Sequence, residues 1–248
     1  MNLKHRLYEF DIAGRFAETF KVPEKAVVET LSSGIAEFDD LTGGIPRGAI
    51  SEIHGPASSG RTSIMYSMLA YATRHEEVCA VVDVNDVFAP AAAVAAGIDF
   101  NRLLWIRCGG NLENAFKAAD LLLHAGGFGL VMLDMADVAG KDARRIIPSW
   151  WYRFRRTVES RPTSIVVMSE EPCTRSCAAL TLELKGTAEW SQAERSAPES
   201  NVVPMRKRGP AKRASVTQGN LLRFNSIKVN RQRPVSPWVN ESVFRAFG

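Results

Sequence analysis

Residues 49–75, AISEIHGPASSGRTSIMYSMLAYATRH, hold the most informative pattern in the chain. AISEIHG reads as a β-type run. TSIMYSMLAYATRH carries Ile64, Met65, Met68, Leu69 and Ala72 at helical spacing. Between them lie Gly55, Pro56, Ala57, Ser58, Ser59, Gly60, Arg61, Thr62 and Ser63. They fit the phosphate-loop pattern G-x-x-x-x-G-K-[ST] everywhere except at Arg61, which stands where the pattern has lysine. Gly55 and Gly60 permit backbone turns that a Cβ would hinder. The N–H groups between them would form an anion nest, and the dipole of the following helix favours phosphate. Thr62 would set its hydroxyl on Mg²⁺, with Ser63 behind it. Arginine is longer, planar and forked, so it is not equivalent to lysine in a tight site, yet it still offers charge and paired donors. The expectation is phosphate binding in a weakened or re-posed form, with hydrolysis impaired more. The rival reading is a Gly/Ser turn with no ligand.

Outward from this stretch, β and α patterns alternate. VCAVVDV (78–84) is a continuous apolar run suited to a strand buried on both faces. PAAAVAAGI reads as helix, LLWIRC as strand, NAFKAADLLLHAG as helix, GLVMLDM (129–135) as strand, 142–158 as helix and SIVVMSEE (164–171) as strand. This order predicts an α/β fold, a mostly parallel sheet flanked by helices. In RRIIPSWWYRFRRTVESR (144–161), Ile147, Trp151, Phe154 and Val158 recur as a core-facing stripe, leaving Trp150, Tyr152 and the arginines outward. A base-stacking or partner-binding patch is the other reading of that segment.

Past 171, LTLELK (180–185) and LLRFNSIKVNRQR (221–233) alternate like two antiparallel edge strands, joined by a long polar insertion. The expected organisation is an N-terminal helical segment (1–30), anchored by Leu7, Phe10, Phe16 and Phe20, and a core over 31–185. A basic flexible insertion (186–219), an edge strand (220–234) and a tail (235–248) follow.

The chain has 248 residues, 46% of them hydrophobic, enough to bury a sizeable core. No apolar run reaches membrane-helix length, and the charged start MNLKHRLYEF lacks a leader-like apolar block, so a cytoplasmic protein is expected. Its net charge is +4, but residues 204–233 hold nine Lys/Arg and no acid, so the remainder is net acidic. Such asymmetry marks a polyanion partner or a solvated loop. The candidate phosphate contacts are Arg206, Lys207, Arg208, Lys212, Arg213, Arg231 and Arg233. Cys173 and Cys177, spaced C-x3-C without a His-rich partner motif, read as free thiols, as do Cys79 and Cys108.

Residues 31–63, LSSGIAEFDDLTGGIPRGAISEIHGPASSGRTS, resemble the RecA recombinase family through Ser33-Gly34, Asp39, Gly43-Gly44, Pro46, Gly48, Glu52-Ile53, Gly55-Pro56 and Ser58-Ser59-Gly60. The likeness continues loosely to 171 and resumes in FNSIKVNRQRP. It implies a RecA-type P-loop core with an antiparallel edge hairpin, ATP and Mg²⁺ as cofactors, filament-type self-association and DNA as partner. The family has Asp-x-Glu after its second strand. Here Asp83 matches the Asp, and Asn85 stands where the water-activating Glu belongs. Asp86, one step off register, is the candidate substitute base. Asp134, ending an apolar strand, matches the aspartate that holds Mg²⁺ through water. The family's next strand ends in Asn-Gln before a DNA-binding loop, whereas Ser169 and Glu170 stand here.

Departures at Arg61, Asn85 and Ser169/Glu170 point to poor or absent ATPase activity. They make the chain resemble RecA-like accessory proteins of translesion mutagenesis, the ImuA type. The expected function is DNA repair in the damage (SOS) response, with nucleoid association. DNA, chiefly single-stranded, and a repair polymerase or recombinase are the expected partners. Two alternatives stand beside it: an active DNA-dependent ATPase recombinase, and a nucleotide-free interaction module.

Overall fold

The computed structural model describes residues 29–190, 222–234 and 241–246. The expected N-terminal segment, except residues 29 and 30, and the basic cluster 205–213 lie outside the described residues. Two short strands, β1 (Thr30–Leu31) and β2 (Ile45–Pro46), pair antiparallel around helix α1 (Ala36–Thr42). The main chain then runs β3 (Ile50–His54), α2 (Arg61–Arg74), β4 (Cys79–Asp83), α3 (Pro90–Ala95), β5 (Leu103–Arg107), α4 (Leu112–Ala125) and β6 (Leu130–Met135). It continues through α5 (Gly140–Ala143), α6 (Pro148–Val158), β7 (Ser164–Ser169), β8 (Ala178–Trp190), β9 (Leu222–Arg233) and β10 (Glu241–Ala246).

The eight-stranded sheet has the order β10-β9-β8-β3-β7-β6-β4-β5. From β8 to β5 every pairing is parallel, and β9 and β10 add antiparallel neighbours at one edge. Successive strand residues point to opposite faces. Val81, Met132, Val166 and Met168 face α2, meeting Ile64, Met65, Met68 and Leu69. Val82, Leu133, Ile165 and Val167 face α4 and α6, meeting Phe116, Leu123, Trp151 and Phe154. Both faces are covered, which is why these strands read as unbroken apolar runs.

Three expectations need correction. The helix expected over 142–158 is two pieces, because Pro148 has no N–H to continue a ladder and instead starts α6 at its first turn. Ile147 thereby precedes the helix and is 62% exposed, whereas Trp151, Phe154 and Val158 are buried as the stripe requires. β8 is also no edge: it lies between β3 and β9, parallel to the first and antiparallel to the second. Nor is β9, since tail residues 241–246 form the outer strand and Phe244 packs edge-on against Phe38, with ring centroids 6.4 Å apart. No helix among the described residues is long and apolar enough to cross a membrane.

Candidate nucleotide-binding site

The central strand β3 delivers the chain to the loop at residues 55–60. The Gly55 N–H donates to the Ser169 carbonyl at 3.2 Å, which ties the loop entrance to the end of β7. Gly60 has φ +95°, and a Cβ there would run into Cδ1 of Ile227 on β9. Ser58 takes φ +62°. The Ser59 hydroxyl is buried and has no hydrogen-bond partner. The first-turn N–H groups of α2 have no intrahelical partners, so they are open to an anion. A cavity of about 410 Å³ is lined by Ala57, Ser58, Ser59, Gly60, Arg61, Thr62 and Ser63 on one side. Asp134, Ala136 and Asp137 line the other. Thr62 and Ser63 also border a larger groove of about 730 Å³, walled by Tyr66, Tyr71 and Ala92.

Arg61 is buried, at 7% exposure. Its guanidinium crosses from the loop to the turn after β6, where Nη1 donates to the Ala136 carbonyl at 3.0 Å. Burial pushes its pKa below the usual arginine value, and the charges of Asp134, Asp137 and Glu170 oppose that shift. Asp134 is buried, and its Oδ1 accepts from the Ala136 N–H at 3.0 Å. Burial pushes its carboxyl up to about 6; Asp83 adds to the rise, while the Ala136 N–H and Arg61 oppose it.

Asp83 knots the turn after β4. Its carboxylate accepts from the N–H groups of Val87 and Phe88 at 3.1 and 2.9 Å, and from Trp105 Nε1 at 3.1 Å. Asn85 sits within that turn. Asp86, at φ +60°, is turned toward β5, where Arg107 Nη2 donates to its Oδ2 at 3.0 Å. It does not line the cavity beside the loop, because β4 ends at Asp83 and the turn swings its side chain away.

Ser169 is buried at the end of β7, while Glu170 is exposed. The following connection, 170–177, is held by Glu52, whose Oε1 accepts from the Cys173 and Thr174 N–H groups at 2.6 and 3.0 Å. Its Oε2 accepts from the Thr174 hydroxyl at 2.6 Å. Cys173 and Cys177 are buried free thiols. Among the described residues no cluster of three His, Cys, Asp or Glu could hold a metal ion.

Arg231 and Arg233, expected to face DNA, are engaged with the protein. Arg231 Nη1 donates to the Leu41 carbonyl at the end of α1, and Arg233 Nη1 to the Arg175 carbonyl. Sequence reasoning also missed Asp137, Ala136 and Ile227. Asp137 carried a weak signal, an acid just past the strand-end aspartate. A backbone carbonyl and a covering isoleucine carry none.

A strand, a glycine-bearing loop and a helix N-terminus on the central strand of a parallel sheet define a phosphate-loop α/β protein. Residues 18–143 match the RecA N-terminal domain family, half of the chain, and the chain belongs to that family. It is 35% identical over 109 residues to Protein RecA of Borrelia hermsii (strain HS1 / DAH), covering 43% of this chain and 30% of that one. It is likewise 35% identical over 109 residues to Protein RecA of Wigglesworthia glossinidia brevipalpis, covering 43% and 33%. Against Protein RecA of Nostoc punctiforme it is 37% identical over 108 residues, covering 43% and 30%. The match thus spans about a third of the length of these curated relatives.

Proposed function

We propose that the chain is a RecA-like accessory protein of DNA repair and damage-induced translesion mutagenesis, the ImuA type, acting in the cytoplasm at the nucleoid. In this reading it holds ATP as a ligand and turns it over poorly or not at all. The phosphates would sit on residues 55–63, with the nucleoside extending past Thr62 and Ser63 into the groove along α2 and α3. The observation that carries the reading is a contrast within one pocket. The loop has positive-φ turns at Ser58 and Gly60 and leads into the unpartnered first-turn N–H groups of α2, which suit an anion. The Glu expected as water-activating base is missing: Asn85 stands at the position the family resemblance gives it, and Asp86 is paired to Arg107 on another side.

The connection 170–177, pinned by Glu52, supports an accessory role over strand exchange, because its backbone is tied to the core. DNA contact falls instead to the segment holding Arg206, Lys207, Arg208, Lys212 and Arg213, attached to the far ends of β8 and β9. Glu183 lies level with His54, the end of β3, so residues 184–190 extend beyond it on the phosphate-loop side. That is about 20 Å of strand at ~3.3 Å per residue. A repair polymerase or recombinase would be the protein partner, and self-association would follow the family.

The test is ATP turnover measured with and without single-stranded DNA. The expected result is no DNA-stimulated hydrolysis, and turnover at recombinase-like rates overturns the reading. Deleting 205–213 is expected to flatten the salt dependence of DNA affinity, since each released phosphate contact reduces the slope.

A further inference from the structure

We infer that the Arg61 guanidinium takes the place of a divalent cation in this pocket, so that a polyphosphate is bound without metal. The inference rests on the reading of residues 55–63 as a phosphate site. The electrostatic role of a metal in such a pocket is to place positive charge between the carboxylates of the wall and the oxygens of the ligand. Here the chain itself brings a positive charge to that wall. Arg61 opens α2 yet does not lie back along the loop. Its side chain is buried, spans to the turn after β6, and is anchored by Nη1 on the Ala136 carbonyl at 3.0 Å. Arg61, Thr62, Asp134, Ala136 and Asp137 line the same cavity, and the charges of Asp134, Asp137 and Glu170 all act on the guanidinium.

Two further facts disfavour a metal there. Asp134, the residue that would hold it, has one of its two carboxylate oxygens, Oδ1, engaged by the Ala136 N–H, which leaves only Oδ2. A dication in that wall would also stand against a fixed guanidinium at low dielectric, where repulsion is strong. Arginine has five N–H donors in a rigid fork. One is spent on Ala136, which leaves donors for phosphate oxygens and a charge that neutralises the acids beside them. Thr62 then serves the ligand directly through its hydroxyl and N–H. Lysine's three donors sit on one nitrogen, so it cannot spread them between the Ala136 carbonyl and the ligand as a planar fork does.

The test uses the full chain and a fluorescent ATP analogue, titrated once in excess chelator and once in excess Mg²⁺. The expected result is the same dissociation constant in both arms, within about threefold. Binding more than about threefold tighter with Mg²⁺ overturns the inference and leaves the phosphate-site reading standing. Absence of binding in both arms, with the chain folded by circular dichroism, overturns both. Arg61→Lys is expected to make binding dependent on Mg²⁺ by about tenfold. A folded Arg61→Lys protein that binds equally well in chelator refutes the role given to the guanidinium.

Discussion

The phosphate loop and the two turns that flank it, after β4 and after β7, lie at the same end of one sheet but differ in what holds them. The loop's shape comes from backbone: positive φ at Ser58 and Gly60, and the Gly55 N–H on the Ser169 carbonyl. The flanking turns are held by side-chain carboxylates acting as internal staples, Asp83 on Val87 and Phe88, and Glu52 on Cys173 and Thr174. Binding an anion needs only N–H groups in the right arrangement, which a backbone supplies. Hydrolysis needs a base and a sensor, which only side chains supply. A pocket can therefore retain the first and lose the second without refolding.

Four substitutions probe these two kinds of support, and thermal or denaturant unfolding reads each of them. Glu52→Ala is expected to have the largest effect. It leaves the Cys173 and Thr174 N–H groups and the Thr174 hydroxyl buried without an acceptor, a loss of about 3–5 kcal/mol. A loss under ~1 kcal/mol would mean that the 170–177 turn is not stapled as described. Gly60→Ala should cost about 2–4 kcal/mol, because alanine is strained at positive φ and its methyl meets Ile227. That methyl should also weaken nucleotide binding, tying the loop's shape to its function.

Asp134→Asn works in the opposite direction. The folded carboxyl titrates at about 6, above its ordinary value, so the folded state holds the proton more tightly than the unfolded chain. Its contribution to stability is therefore fully present below the ordinary carboxylate range, and is lost as pH rises through about 6. In metal-free solution at pH 7.5 the amide should be more stable by up to about 2–3 kcal/mol, and the fall in stability between pH 4 and 6 should flatten. An unchanged pH profile would show that Asp134 is not desolvated in this way. The smallest effect belongs to Arg231→Ala, about 1–2 kcal/mol, from the lost bond to the Leu41 carbonyl. DNA affinity should change little, and a large loss there would return Arg231 to the DNA-facing set.

What the sequence disclosed follows the same division. Backbone-driven features were legible: the strand–turn–helix around residues 55–60, the parallel sheet from its apolar runs, and the Trp151–Phe154–Val158 stripe all follow from spacing and residue type. Features set by distant partners were not. Arg231 reads as one more basic residue, and its acceptor lies 190 positions away. Asp86 sits beside the expected base position, but only the end of β4 at Asp83 and the turn beyond it aim it at Arg107. The position of Arg61 in the loop was plain, yet the carbonyl it binds is 75 residues downstream and carries no sequence signature. β10 escaped notice because a six-residue strand between prolines and a chain end gives too few alternations to stand out.

The most direct test of a pocket that binds without cutting is a calorimetric titration of the full chain with ATP in the presence of single-stranded DNA. Each injection should give a binding heat that returns to baseline and saturates. A steady heat flow persisting at saturation, the signature of turnover, would contradict the account, and so would the absence of any binding heat from the folded protein.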